Sequence, residues 1–188
     1  MSNKFSEVVI ISAVRTPIGA YKGSLKDIKA DQLGSLVIKE VINRSGIDKK
    51  EVSEVIMGQV LTAGAGQNPA RQAAINAGLS QSIPAHLVNQ VCGSGLRSVI
   101  SGFQTLKLNE AKYVISGGQE NMSLAPHTLS YRDEKILSED RLIDTMIYDG
   151  LIDAFNNYHM GVTAENVANK YKISREEQDN FALKSQAK

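Results

Sequence analysis

Hydrophobic and polar positions follow two alternating rhythms over roughly the first 120 residues. Short β-branched runs at 7–13 (EVVIISA), 54–60 (EVIMGQV), 85–91 (AHLVNQV) and 112–116 (KYVIS) read as strands, the first of them buried. Between them the spacing turns helical. Leu33, Leu36, Val37 and Val41 follow Asp31, a suitable N-cap, and Gly46 ends that helix. Asn68 followed by Pro69 opens a second helix that stops at Gly78. A third runs from 96 to 108, with Leu96, Val99, Ile100, Phe103 and Leu106 on one face. Strands alternating with helices call for an α/β fold, a mostly parallel sheet with helices on both faces.

The third helix follows Val88-Asn-Gln-Val-Cys92-Gly-Ser-Gly95. This spacing predicts Cys92, the single cysteine, on the first turn of that helix, at the carboxyl edge of the sheet where such folds bind ligands. Free backbone N–H groups and the positive end of the helix dipole favour a thiolate there, the reactive form of a nucleophile. A small buried hydrophobe is the other reading of a free cysteine. The second face of the helix, Ser98, Ser101, Gln104 and Thr105, is polar but nearly uncharged, so the helix is expected to be covered on both sides.

After Gly118 the rhythm changes. Residues 119–140 form a long polar loop, of a length that usually serves function or contacts, and 142–155 are amphipathic. Thr163 opens a helix through Tyr171, and Ser174-Arg-Glu-Glu177 is a capping box for a last one. The division expected is an α/β domain over 1–120 and the beginning of a loop domain over 121–188. The end at Lys188, without a following element, reads as a truncation. His86 falls inside a strand and reads as structural, and His127 as solvated or at an interface. His159 is the histidine to place near a ligand, or else another structural one. Glu120 reads as an anchor for loop backbone in preference to an acid or base. The turn 63–66 lacks the remaining positions of a phosphate-binding fingerprint.

Composition narrows the class. A net charge of +1 gives no reason to expect nucleic acid or an anionic membrane, and 42% hydrophobic with 22% charged residues is ordinary for a soluble protein. No apolar run approaches a membrane span and the first residues lack a signal-peptide core, so a cytoplasmic location is expected. One cysteine rules out an intrachain disulfide, and no histidine pair has metal-ligand spacing.

Five motifs stand in order along the chain: Ser12-Ala-Val-Arg-Thr-Pro-Ile-Gly19, Gly66-Gln-Asn-Pro-Ala-Arg-Gln72, Val88 to Gly95 as above, Gly117-Gly-Gln-Glu-Asn-Met-Ser123 and Tyr158-His-Met-Gly-Val-Thr-Ala-Glu165. Together they resemble the thiolases, closest to the acetyl-CoA acetyltransferase branch. The resemblance implies a thiolase-like fold with Cys92 as the acylated nucleophile. It places His159 and Met160 beside the thioester end of coenzyme A and Leu151 along the pantetheine channel. It implies a reversible condensation of two acetyl-CoA into acetoacetyl-CoA, with the coenzyme A thioester as substrate and no cofactor or metal. It also implies a homo-oligomer, tetramer or dimer, with the loop after Met122 like a tetramerisation loop.

Gln119 departs from the methionine common in the family. The family's activating Gly-His-Pro histidine, second cysteine and Asn-Glu motif belong to a second half and have no match in these 188 residues. The chain alone is therefore expected to be an incomplete, inactive N-terminal part, with an apolar surface open on the Cys92 helix. A ketoacyl-synthase-like condensing enzyme and a non-catalytic interaction fragment are the alternative readings.

Overall fold

Three of the four expected strands pair into one parallel sheet. In the computed structural model, which describes residues 7–129 and 142–188, β1 (Glu54–Gly58) lies between β2 (Ala85–Val88) and β3 (Val114–Gly118). The register sets Val55 opposite Ala85 and Ile115, and Gly58 opposite Val88 and Gly118. A central parallel strand is covered on both faces, which is why β1 reads as a continuous apolar run. Val55, Ile56 and Met57 are all buried to within 1%.

Strand alternation sends Val55 and Met57 to one face, Ile56 and Gly58 to the other. On the first face Val55 and Met57 join Ile38 of α1 (Ala30–Ser45) and Ala70, Ala73 and Ala74 of α2 (Pro69–Asn76), with Ile42, Leu87 and Ile115 at the margin. The alanines let the two helices approach each other and the sheet closely. On the second face lies α3 (Ser94–Lys107), whose Gly102 packs against Val114 and Ser116. Helices therefore cover both faces, as the alternation of elements implied.

The run 7–13 is the exception. It is not a strand: Val9, Ile11 and especially Ile10 (80% exposed) face solvent, and no neighbour pairs with it among the described residues. A β-branched run specifies the extended conformation, but a ladder also requires an adjacent strand.

Helix ends followed local chemistry with small shifts. The N-cap of α1 is Lys29, with Asp31 inside the first turn, because the Gln32 side chain accepts the Lys29 N–H at 3.1 Å. Gly46 closes α1 in the left-handed region (φ 69°). Asn68 caps α2 as read, its Oδ1 accepting the Arg71 N–H at 3.1 Å while Nδ2 donates to Ala85 O at 2.8 Å. Replacing Asn68 by Ala should lower stability by about 1–2 kcal/mol, read as a shifted denaturation midpoint. Beyond β3, β4 (His127–Thr128) pairs antiparallel with β5 (Ile143–Asp144). The stretch 130–141, much of the loop after Met122, lies outside the described residues.

The chain divides into two compact units, 1–146 and 147–188. α4 (Thr145–Gly150) carries it into the second, which also contains α5 (Met160–Tyr171) and α6 (Arg175–Gln186). α5 begins three residues before Thr163, because the His159 side chain supplies a cap upstream of it. The Ser174 capping box of α6 formed as read, with the Ser174 N–H donating to Glu177 Oε2 at 2.7 Å. No helix among the described residues is long and apolar enough to cross a membrane.

Candidate active site

Between β2 and α3 the chain turns over five residues, 89–93. Asn89 Oδ1 accepts the Val91 N–H at 2.9 Å, a side-chain turn that asparagine forms readily. Val91 follows in the left-handed region (φ 49°), a real outlier for a β-branched residue, costing on the order of 1–3 kcal/mol. Ser94 holds this conformation from the far side. Its Oγ accepts the Gln90 N–H at 2.8 Å and donates to Val91 O at 2.6 Å. The Gly93 N–H closes onto Gln90 O at 3.0 Å.

Cys92 stands at the tip of this turn, exposed, one residue ahead of the Gly93 N-cap. It is therefore not on the first turn of α3, nor enclosed within the described residues. The left-handed Val91 turns the chain outward before the helix begins. The sulfur is reachable and adjacent to a helix start, and the buried-hydrophobe reading does not hold here.

α3 is covered on one side only. Ser94, Ser98 and Gly102 face the sheet, and Ser98 Oγ sits 2.8 Å from Gly117 O. The apolar stripe faces away: Leu96 is 68% and Phe103 48% exposed, with Val99 and Ile100 also open. The expected apolar surface on this helix is present. The small face turns inward because the strands beneath it end in glycine. A Cβ at Gly58 would overlap the Ser94 carbonyl carbon and the Gly95 nitrogen, and Gly118 lies against Gly95.

The strand exits are tied by side chains. Glu120 accepts the Val60 N–H at 2.7 Å and the Leu61 N–H at 3.4 Å, the loop anchor the sequence indicated. Burial raises its pKa above the usual glutamate range, and those two N–H bonds pull the other way. The native state therefore binds this proton more tightly than the unfolded chain. Its contribution to stability is present at low pH and is lost as pH rises through the raised value. Over that window Glu120→Gln should flatten the fall of stability with pH, read from melting temperatures of both proteins across mildly acidic buffers.

Gln59 and Gln119 form a buried pair that sequence reading missed. Gln119 Nε2 donates to Gln59 Oε1 at 2.9 Å and Gln59 Nε2 to Leu61 O at 2.8 Å, while Gln119 Oε1 has no partner and lies against Gly34. The signal was available, since each glutamine directly follows a strand-ending glycine, and those glycines are in register. Asn89 and Ser94 carried no comparable signal, because their work depends on the turn itself.

The histidines are engaged locally. His86 Nδ1 lies 3.1 Å from Glu54 Oε1, and His127 Nε2 lies 3.9 Å from Asp144 Oδ2. In the second unit His159 Nδ1 accepts the Gly161 N–H at 2.9 Å, making this exposed residue the cap of α5. There the Met160 N–H donates to Leu151 O at 2.8 Å and Ile152 bridges His159. Leu151, His159 and Met160 thus meet in one local backbone pairing, Leu151 and Met160 half-buried.

Fold and turn together define an α/β module that presents one accessible thiol at the carboxyl edge of a parallel sheet. Residues 8–188 match the model described as thiolase, N-terminal domain. The chain belongs to the thiolase family. It is 55% identical over 184 residues to an acetyl-CoA acetyltransferase of Cupriavidus necator, covering 97% of this chain and 47% of that protein. It is likewise 55% identical over 183 residues to a probable acetyl-CoA acetyltransferase of Escherichia coli, covering 97% and 47%. With a protein of Rattus norvegicus named acetyl-CoA acetyltransferase, cytosolic, identity is 51% over 179 residues, covering 95% and 45%. The chain spans about half the length of the curated relatives it matches.

Proposed function

We propose that this chain supplies the nucleophile of a thiolase that condenses two acetyl-CoA into acetoacetyl-CoA, reversibly. The Cys92 sulfur attacks the acetyl thioester carbonyl, the bond from that carbon to the coenzyme A sulfur breaks, and the coenzyme leaves as its thiol. A second acetyl-CoA loses a proton from its methyl carbon. The carbanion attacks the acetyl-cysteine carbonyl, forming the new carbon–carbon bond and returning the Cys92 thiolate. The Cys92 N–H, at the tip of the turn, is suited to the oxyanion that develops at each carbonyl attack.

The observation that carries this reading is an exposed Cys92 on a strained, multiply tied turn at the carboxyl edge of the sheet. The names of the relatives supply the acetyl-CoA chemistry. The likeness to the thiolases assigns His159, Met160 and Leu151 to the binding of coenzyme A, which enters as substrate with no metal or further cofactor. The complete enzyme is a cytoplasmic homo-oligomer, a tetramer or dimer. No side chain among the described residues is hydrogen-bonded to the Cys92 sulfur as a base, so on this reading the activating base is supplied from outside the described residues.

The test is acyl transfer followed by intact-mass and peptide-mass measurement. Complete enzyme exposed to acetyl-CoA should gain one acetyl group, located on the peptide containing Cys92. Acylation by an acyl carrier thioester but not by acetyl-CoA would favour the ketoacyl-synthase reading and sink this one.

A further inference from the structure

Three strand exits converge on the Cys92 turn, and hydrogen bonds connect them in sequence. Glu120, just past β3, accepts the Val60 N–H just past β1 at 2.7 Å. The carbonyl of the same residue, Val60 O, accepts from Asn89 Nδ2 at 3.4 Å just past β2. Asn89 then uses its other side-chain atom, Oδ1, on the Val91 N–H at 2.9 Å, next to Cys92. The Val91 conformation is strained (φ 49°), so it persists only where its surroundings over-determine it.

We propose that Glu120 and Asn89 are positioning residues for the Cys92 sulfur, with Asn89 passing the hold of the Glu120 carboxylate on Val60 to the strained Val91 turn. This rests on Cys92 being the acyl acceptor, and it adds which residues keep that sulfur in place. Glu120 makes its hydrogen bonds to Val60 and Leu61, and none to Cys92 or its neighbours in sequence. Its effect on the thiol must pass through the Val60 peptide and Asn89. Side chains joined in one network couple, whereas distant independent ones add.

The experiment uses the single thiol of the chain and two readouts, neither requiring turnover. One is the rate of Cys92 alkylation by iodoacetamide at fixed pH. The other is hydrogen exchange at the Val91 amide, with the Ala77 amide of the opposite face, bonded to Ala73 O at 2.9 Å, as an internal reference. Glu120→Ala should slow alkylation about threefold or more and speed exchange at Val91 by a similar factor, leaving Ala77 unchanged. Asn89→Ala should do at least as much. In the double variant the two effects should not multiply, because Glu120 acts through Asn89. Glu120→Gln, which keeps an oxygen for the Val60 N–H, should remain within about twofold of the parent protein.

The proposal is overturned if Glu120→Ala leaves both readouts at the parental value or speeds exchange equally at Val91 and Ala77. It is also overturned if the effects of the two alanine variants multiply. Should Glu120→Ala not fold, Glu120→Gln decides, since loss of alkylation in that folded variant would overturn it too. Failure of Cys92 to accept an acetyl group would sink the proposed function while leaving these coupling results readable.

Discussion

Cys92→Ser should abolish uptake of the acetyl group from acetyl-CoA, leaving the complete enzyme at its unmodified mass. Serine keeps the size and the turn but presents a neutral hydroxyl, which needs a dedicated base to become a comparable nucleophile. The Cys92 side chain itself makes no hydrogen bond among the described residues and is exposed, so the substitution should leave the melting temperature within about 1 °C. Activity should therefore fall by several orders of magnitude with the fold intact. Retained acetylation at the parental rate would show that the acceptor lies elsewhere. The 188-residue chain alone, in which no side chain among the described residues is hydrogen-bonded to the Cys92 sulfur, should not sustain turnover of acetoacetyl-CoA and coenzyme A.

Gly58→Ala should have the largest effect on the fold. The added methyl would overlap the backbone of Ser94 and Gly95, which, unlike a flexible side chain, cannot swing aside. Either α3 lifts from the sheet or β1 bends. A loss of about 3 kcal/mol or more is expected, at the upper end of overpacking costs, lowering the melting temperature by about 6–12 °C. Because Ser94 also ties the Val91 turn, Cys92 should be displaced as well, and its alkylation rate should change beyond what the loss of stability explains. An unchanged melting curve would mean that α3 does not sit on β1 as described.

Each turn of this fold depends on how closely backbone segments approach, and that divides what composition and spacing can report. The central strand β1 announced itself through its continuous apolar run, because a strand covered on both faces must be apolar throughout. The Asn68-Pro69 start, the Gly46 stop and the Ser174 box followed from local hydrogen-bonding chemistry that needs no tertiary partner. Glu120 could be read as an anchor because a carboxylate just past a strand lies within reach of the neighbouring exit.

The helix behind Cys92 was legible only in part. Its spacing shows an apolar stripe and a polar face without saying which meets the sheet, and the sheet took Ser94, Ser98 and Gly102. Hydropathy registers which face avoids water but carries no account of how near the neighbouring backbone comes. Over Gly58 and Gly118 only the small face fits. The same limit applies at 7–13, where the extended conformation is encoded locally but its ladder is not. His159, read as the histidine to place near a ligand, caps α5, a role that depends on where that helix begins.

The sequence by itself determined the α/β class, the order of the paired strands along the chain, most helix ends and the cysteine at the carboxyl edge of the sheet. These follow from periodicity and from local chemistry. Only the tertiary structure decided that Cys92 stands outside the helix on a strained turn, and that α3 turns its apolar side outward. It alone decided that three strand exits are tied through Glu120, Val60 and Asn89. Those features arise where segments distant in sequence meet, and a linear pattern carries no distance between them.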